Sequence, residues 1–143
     1  MKMLIKKIVE PAELEKCFPV FKELRPNLEN SQIFTDLVIR QWQEGYQIVA
    51  GIIDGDVVGC IGYRVMNLLA SGKILYIDDL ITSSKFRKHG CGKELLEYAI
   101  NYAKELSCDQ VHLDSGYTRY DAHRLYLNHG FQLVFHHLAK TLT

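Results

Sequence analysis

The sequence predicts one α/β or α+β domain over residues 1–143, with helices on both faces of a single sheet. A chain of 143 residues fits one domain with one core. Its segments alternate between strand-like and helix-like patterns in the order β-α-α-β-β-β-α-β-α-β. That order of elements is typical of a sheet that helices cover on both sides.

The N-terminal third of the chain predicts a strand and then two helices. Residues 4–9 form an apolar, β-rich segment, and Pro11 suits the first turn of the helix that follows. This helix ends near residues 25–27, and its apolar face carries Leu14, Cys17, Phe18 and Phe21. A second helix is predicted for about residues 29–44, and Gly45 ends it.

Three strands are predicted next. Residues 46–53 and 57–66 are β-rich and flank Asp54-Gly55, which is a strong signal for a two-residue hairpin turn. The third strand, residues 74–81, is apolar except for Asp78 and Asp79.

The C-terminal half alternates helix and strand. The clearest amphipathic stripe of the chain predicts a helix through Leu95, Leu96, Ala99, Ile100, Ala103 and Leu106. Residues 111–113 then predict a short buried strand, and residues 120–129 predict a helix that Gly130 closes. Residues 131–137 predict a last strand.

The string RKHGCG, at the start of the long helix, predicts a binding site for a pyrophosphate. The first backbone N–H groups of a helix have no partner inside it, and the helix dipole adds partial positive charge there. Gly90 and Gly92 remove side chains that would block a close approach. Basic side chains add full positive charge: Arg87, Lys88 and Lys93.

Two other interpretations of this loop stay open from the residues alone. The glycines could simply make a tight turn into the helix. A Rossmann dinucleotide site is the other alternative, since Asp114 ends the next strand as that motif requires. Leu95 occupies the third glycine position of the motif, which weakens this alternative.

Composition excludes several classes of function. The formal net charge is zero, which argues against a nucleic-acid binder and against an electrostatic membrane anchor. The four cysteines form no CxxC pair and the histidines lack ligand spacing, so no metal site and no disulfide framework is expected. The chain shows neither a signal peptide nor a transmembrane run, so we expect a cytoplasmic protein with reduced thiols.

Residues 76–131 resemble the core of the GNAT N-acetyltransferases. Their acetyl-CoA signature, [RQ]-x-x-G-x-[GA] at the start of a long helix, is matched by Arg87, Gly90 and Gly92. A second signature, a short helix with alanine, tyrosine and a terminal Gly-Phe, is matched by AHRLYLNHGF at residues 122–131. The strings LRP, YIDDL, LDSG and AHRLY extend the resemblance to small bacterial single-domain members of the group.

The resemblance implies a fold and a cosubstrate. It implies a mixed, mostly antiparallel sheet of six to seven strands, splayed after the fourth strand and flanked by about four helices. It also implies acetyl-CoA as the cosubstrate, without a metal. The residues it assigns to the cosubstrate are Leu80, Ile81 and Thr82, which pair with the pantetheine, and Arg87, Lys88, His89, Gly90, Cys91, Gly92 and Lys93, which hold the pyrophosphate.

The resemblance also implies the catalytic residues. A carboxylate, Asp78 or Asp79, would bind the amine and accept its proton, and a backbone N–H of Leu80 or Ile81 would polarise the carbonyl. Tyr126 matches the tyrosine that protonates the departing thiolate. For each of these side chains a structural role is the alternative.

Three functions follow as hypotheses. The first is an N-acetyltransferase that acts on a small-molecule amine, or alternatively on a protein lysine or N-terminus, with entry between residues 25–29 and the last strands. Tyr46, Tyr63 and Tyr117 are candidates for lining that entry. The second hypothesis is a non-catalytic acyl-CoA-binding or sensor module, and the third is a nucleotide-binding module. Analogy with the fold adds a homodimer as a candidate assembly.

Overall fold

The structure, a computed structural model, describes residues 2–143. The chain divides into two compact units, Met1–His112 and Leu113–Thr143, and each is described below by itself. The first unit holds most of the sheet and three of the helices, and the second holds the fourth helix. The expectation of one domain over residues 1–143 stays a prediction.

One five-stranded sheet organises the fold, in the order β1-β2-β3-β4-β5. Its strands are β1 (Leu4–Ile8), β2 (Gln47–Ile53), β3 (Asp56–Leu68), β4 (Gly72–Thr82) and β5 (Gln110–Leu113). The first four strands form an antiparallel meander. Asp54 and Gly55 join β2 to β3 with φ angles of 51° and 82°, so the predicted hairpin turn is confirmed.

The prediction of six to seven strands is wrong, because residues 131–137 do not form a strand. No regular element is assigned from residue 129 to residue 143. The apolar side chains of this segment are mostly exposed, at 97% for Leu133 and 71% for Phe135. A β-rich sequence becomes a strand only when a neighbouring strand takes up its N–H and C=O groups. Splaying of the sheet after β4 stays a prediction.

Within residues 2–143, four α-helices accompany the sheet, and their ends lie within a residue or two of the predicted ones. They are α1 (Pro11–Leu24), α2 (Ser31–Trp42), α3 (Cys91–Glu105) and α4 (Tyr120–Asn128), and a single 3-10 turn spans Ser84–Phe86. A capping box between Glu10 and Glu13 starts α1, with Pro11 in its first turn. The Asn30 side chain caps α2 by accepting from the Ile33 N–H at 2.9 Å.

Helices cover both faces of the sheet, as predicted. Successive strand residues point to opposite faces, and Ile48, Val49 and Ala50 of β2 are all fully buried. The core cluster under α1 and α2 includes Ile48 and Ala50. On α3, most of the predicted stripe is buried, with Leu95, Leu96 and Ala99 at 0% exposure and Ala103 at 3%, while Ile100 and Leu106 are half-buried. The two aspartates of β4 therefore interrupt a strand that is packed on both sides.

Candidate active site

A β-bulge in β4 places Asp78 and Asp79. Gly62 of β3 pairs with Asp79 and Tyr63 pairs with Ile77, so Asp78 has no residue opposite it. Without the bulge, two adjacent strand residues would point to opposite faces. With the bulge, both carboxylates are linked to the Tyr46 side chain. The Tyr46 hydroxyl contacts Asp79 directly. The Arg64 guanidinium, which binds Asp78, lies over the Tyr46 ring at 5.1 Å from its centroid.

Asp79 receives hydrogen bonds on both of its carboxylate oxygens. The Tyr46 hydroxyl donates to Oδ2 at 2.5 Å, and Arg25 donates to Oδ1 through Nε at 3.0 Å and Nη2 at 2.8 Å. Tyr46 is only 4% exposed, and burial and the nearby Asp79 carboxylate raise the pKa of its hydroxyl well above the usual value. Tyr46 is therefore a neutral hydrogen-bond donor that fixes the orientation of Asp79.

Asp78 is held differently. Arg64 donates to it from Nε at 3.1 Å and from Nη2 at 2.8 Å, and a second bond from Nη2 goes to Gln41 at 2.8 Å. Burial raises the pKa of Asp78 above the usual value, although the bonds from Arg64 oppose this. The two-pronged pair fills both oxygens of Asp78, which is the geometry of a structural ion pair.

Gly62 makes room for this arrangement. A β-carbon added at Gly62 would overlap the Tyr46 hydroxyl oxygen, and it would lie 2.5 Å from Cζ and 2.7 Å from Cε1 of the same ring. The sheet therefore needs glycine where the Tyr46 ring crosses β3. Gly62 was not singled out in the sequence, because a glycine within a strand carries no mark of a ring that packs on it.

A cleft of about 190 Å³ opens beside Asp79, and we call it the acceptor cleft. It lies between the end of α1, the α1–α2 connection and α2. The entry predicted between residues 25–29 and the last strands stays a prediction. Its lining residues are Phe21, Arg25, Asn27, Leu28, Phe34, Leu37, Val38, Gln41, Tyr46 and Asp79. Asp79 and Tyr46 line this cleft, whereas Asp78 does not.

The other two tyrosines considered for the entry are Tyr63 and Tyr117. Tyr63 is 1% exposed and its ring centroid is 5.7 Å from that of Tyr102 on α3, so it is a core residue. Tyr117 belongs to the second unit and is 88% exposed.

The loop between β4 and α3 has the backbone that an anion site requires. Gly90 precedes α3 with φ of 80°, and Lys88 also has a positive φ of 68°. The first helical bond of α3 runs from the Glu94 N–H to the Gly90 carbonyl, so the amides of residues 91–93 come before it. A cleft of about 710 Å³ lies at this helix end, and its lining includes His89, Gly90, Cys91 and Lys93.

The side chains of this loop have separate surroundings. Cys91 is 3% exposed and packs with Ile53 and Val58, so its backbone rather than its sulfur faces the loop. The Arg87 side chain is 60% exposed, and its Nη2 lies 3.9 Å from a Glu23 oxygen. Lys88 and Lys93 are exposed and Gly92 is half-buried.

Glu23 is a residue that the sequence did not reveal. Its carboxylate accepts from the Ser84 N–H at 2.9 Å and from the Ser83 hydroxyl at 3.4 Å, and so ties the end of α1 to the start of the loop. An acid at the end of an amphipathic helix usually faces solvent, and no local pattern indicates a partner 61 residues away.

The residues assigned to the pantetheine, Leu80, Ile81 and Thr82, follow the bulge directly. They pair with Ile61, Cys60 and Gly59 of β3. Ile81 is 5% exposed and belongs to the core, while Leu80 and Thr82 are half-buried.

In the second unit, Tyr126 sits at the end of α4. The Gly130 N–H donates to the Leu127 carbonyl and the Phe131 N–H donates to the Tyr126 carbonyl, both at 3.1 Å, with Gly130 at φ of 86°. This is a Schellman motif, and the ring contact that accompanies it joins Tyr126 to Phe131 with centroids 5.8 Å apart. Burial raises the pKa of the Tyr126 hydroxyl above its usual value. The terminal Gly-Phe string thus ends the helix and packs on the tyrosine.

Residues 11–131 match the model of the Acetyltransferase (GNAT) family. The chain belongs to the GNAT family. It is 30% identical over 122 residues to the uncharacterized N-acetyltransferase YhdJ of Bacillus subtilis (strain 168), a match that covers 85% of this chain and 86% of that protein. A stretch of 75 residues is 37% identical to human N-alpha-acetyltransferase 30 and covers 50% of this chain and 21% of that protein.

Solved structures agree with this GNAT fold. A transcriptional regulator from Bacillus halodurans C-125 superposes with a TM-score of 0.87 at 20% identity, over 99% of this chain and 100% of that one. The aminoglycoside acetyltransferase AAC(6')-Iy, in complex with a bisubstrate analog, superposes with a TM-score of 0.83 at 14% identity, over 100% and 99%. At these identities the likeness establishes the fold.

The loop of this GNAT chain fits the phosphates of a CoA thioester. Amides that precede the first helical bond supply donors, the positive φ of Gly90 opens the approach, and Lys93 supplies charge. Among residues 2–143, no group of three or more His, Cys, Asp or Glu side chains is placed to hold a metal ion. No helix in that part of the chain is long and apolar enough to cross a membrane.

Proposed function

We propose that this GNAT chain is an acetyl-CoA-dependent N-acyltransferase that acylates a primary amine by direct attack on the thioester. The observation that carries the proposal is the β4 bulge. The carboxylate of Asp79 lies on the wall of the acceptor cleft, directly before the strand segment assigned to the thioester arm. The acyl thioester supplies an activated carbonyl whose C–S bond breaks as the C–N bond forms.

Asp79 is our choice of the two carboxylates for contact with the amine. Both carboxylates are hydrogen-bonded on both oxygens, but Asp79 lines the acceptor cleft, whereas Asp78 does not. An alkylammonium has a pKa of about 10, so a proton must leave before the nitrogen attacks. Asp79 holds the ammonium and takes that proton, directly or through a water molecule. Asp78 and Arg64 keep the bulge in shape.

The remaining steps use backbone groups and Tyr126. The N–H of Leu80 or Ile81 donates to the carbonyl oxygen as negative charge develops there. Tyr126 donates its proton to the departing thiolate, a role that a tyrosine hydroxyl, protonated at neutral pH, is able to fill. The amides of residues 91–93, with Lys88, Lys93 and Arg87, hold the pyrophosphate.

The acceptor that we favour is a small molecule. The acceptor cleft is narrow, at about 190 Å³, and polypeptide backbone groups would need an open groove. Solved relatives include an aminoglycoside acetyltransferase, which is consistent with a small-molecule amine. The alternative acceptor is a protein N-terminus, which the similarity to human N-alpha-acetyltransferase 30 suggests.

A thermal melt with acetyl-CoA, followed by a thiol-release assay with a panel of amines, tests the proposal. A ligand that binds only the folded state stabilises it by about 2.7 kcal/mol at a hundredfold excess over its dissociation constant. We expect acetyl-CoA, but not ATP or NAD, to raise the midpoint, and thiol release to require an amine. Stabilisation with no acylated amine by mass spectrometry would favour a non-catalytic acyl-CoA-binding module instead.

Variants at the two aspartates locate the base. We expect Asp79→Asn to lower kcat/KM by roughly 100-fold or more, because positioned acid–base groups contribute about 10²–10⁴-fold. Asp78→Asn should chiefly lower stability, because it leaves Arg64 partly buried without its carboxylate. Equal losses of kcat/KM in both variants at equal stability would contradict the assignment.

A further inference from the structure

The acceptor cleft has an apolar wall built from α1, α2 and their connection. Its apolar lining residues are Phe21, Leu28, Phe34, Leu37 and Val38. Phe34 and Val38 are fixed in the core at 3% and 4% exposure, while Leu37 is 36% exposed at the rim. A ligand body that contacts this wall must be apolar. It must also be compact, because the cleft, at about 190 Å³, is smaller than the pockets of about 300–1,000 Å³ that hold drug-sized ligands.

The charged side chains of the acceptor cleft are already paired with each other. Arg25 and Asp79 line it, and they are joined by bonds of 3.0 Å and 2.8 Å to Oδ1. The neighbouring Asp78 is paired with Arg64. In the described part of the chain, each of the two aspartates is therefore paired with an arginine. The cleft then has no surplus negative charge for a ligand with several ammonium groups.

Arg25 is placed so that its charge matters to a ligand. Its side chain is 48% exposed, against 14% for Asp79, so it stands between the carboxylate and solvent. Its Nη2 also donates to the Asp78 carbonyl at 3.0 Å, which holds the guanidinium beside the bulge. An ammonium group that reaches Asp79 meets a carboxylate whose charge is already balanced.

We infer that the acceptor is a primary monoamine with a compact apolar body, and that Arg25 sets this preference by neutralising Asp79. The inference rests on the proposed function and narrows its acceptor. One amino group lies at Asp79 and the apolar body lies on the wall of α1 and α2. The other polar lining residues, Asn27 and Gln41, carry no charge, so a second ammonium group would find no carboxylate in the cleft, and burying an unpaired charge is costly. Polycationic amines are then poor acceptors.

Two probes of equal length test this preference: n-pentylamine and 1,5-diaminopentane, which differ by one terminal ammonium group. We expect the wild-type protein to favour n-pentylamine in kcat/KM by roughly tenfold or more. Arg25→Gln uncovers the Asp79 charge, so the ratio should fall towards one or invert. Arg40→Gln is the matched control, because Arg40 is an exposed arginine of α2 outside the cleft lining, and its ratio should equal that of the wild type.

The ratio separates a specificity role of Arg25 from a structural one. Loss of the fold or of the bulge in Arg25→Gln would lower both rates and leave their ratio unchanged, and that result would overturn the role of Arg25. Equal or preferred use of 1,5-diaminopentane by the wild-type protein would overturn the monoamine preference.

Direct binding keeps this inference separate from the proposed function. Calorimetric titration of both amines into the protein with CoA present measures the same ratio without turnover. A preference for n-pentylamine in binding with no acylated product would support the inference and contradict the proposed function. Absence of n-pentylamine binding at millimolar concentration, or a preference for the diamine, would overturn the inference even if another amine is acylated.

Discussion

The close packing of Gly62 against Tyr46 predicts that Gly62→Ala disturbs the Asp79 part of the candidate site and leaves the loop between β4 and α3 unchanged. The added methyl group would overlap the Tyr46 hydroxyl and crowd Cζ at 2.5 Å. Tyr46 is 4% exposed, lines the acceptor cleft and donates to Asp79 at 2.5 Å. The ring has to shift, and the hydrogen bond to Asp79 is lost.

The size of the effect follows from two contributions. Overpacking a well-packed core costs about 1–3 kcal/mol. A hydrogen bond to a charged group contributes about 1.5–3 kcal/mol. We expect Gly62→Ala to lower the free energy of unfolding by about 2.5–6 kcal/mol, and to lower kcat/KM because Asp79 loses its donor. Tyr46→Phe removes the hydrogen bond with little steric change, so its loss should be about 1.5–3 kcal/mol.

Denaturant titration measures both losses, and the double variant tests their common cause. Both changes remove the same hydrogen bond, from Tyr46 to Asp79. The double variant, Gly62→Ala with Tyr46→Phe, should therefore lose less free energy of unfolding than the sum of the two single variants. Gly116→Ala is the control, because an added β-carbon there meets nothing within 4 Å. A loss below about 0.5 kcal/mol in Gly62→Ala, similar to the control, would refute the reasoning, because surface changes have effects of that size.

Three further predictions concern the loop, the proton donor and pH. Gly92→Glu adds a negative charge at the helix end, so the midpoint shift with acetyl-CoA should disappear, and an unchanged shift would contradict the phosphate assignment. Tyr126→Phe should lower kcat by roughly 100-fold with unchanged CoA binding, and an unaltered kcat would remove Tyr126 from the mechanism. Burial raises the pKa values of Tyr46 and Tyr63. Above a pH of about 10 the unfolded chain then loses protons that the folded chain keeps, so the free energy of unfolding should fall as pH rises. Substituting both residues with Phe should flatten this fall in denaturant titrations, and an unchanged slope would contradict it.

Local chemistry explains what the sequence predicted well. The turn at Asp54-Gly55 requires positive φ at both residues, and that requirement is visible in two letters. The stripe on α3 follows the helical period over four turns, so its buried face could be listed in advance. The loop before α3 was also predictable, because Gly90 and the basic residues around it lie next to one another in the chain.

Long-range pairing explains what the sequence did not predict. Asp78 and Asp79 stood out as acids in an apolar strand, but their partners look like ordinary basic residues and are distant in the chain. Arg64 lies 14 residues before Asp78, and Arg25 lies 54 residues before Asp79. The bulge that brings both acids to one ring depends on the register between β3 and β4, which no residue pattern in β4 encodes. The error at residues 131–137 has the same origin, since strand propensity does not state whether a partner strand is present.

The end of α1 connects the two halves of the candidate site in the first unit. Arg25 donates to the bulge carbonyl of Asp78 and to Asp79, and two residues earlier Glu23 accepts from the Ser84 N–H at the start of the phosphate loop. A displacement of this helix end therefore changes the support of the acceptor cleft and of the phosphate loop together. A ligand couples two sites only through contacts that differ between two states of a shared element. Arg25 provides this shared support on the side of the acceptor cleft, and Glu23 provides it on the side of the loop between β4 and α3.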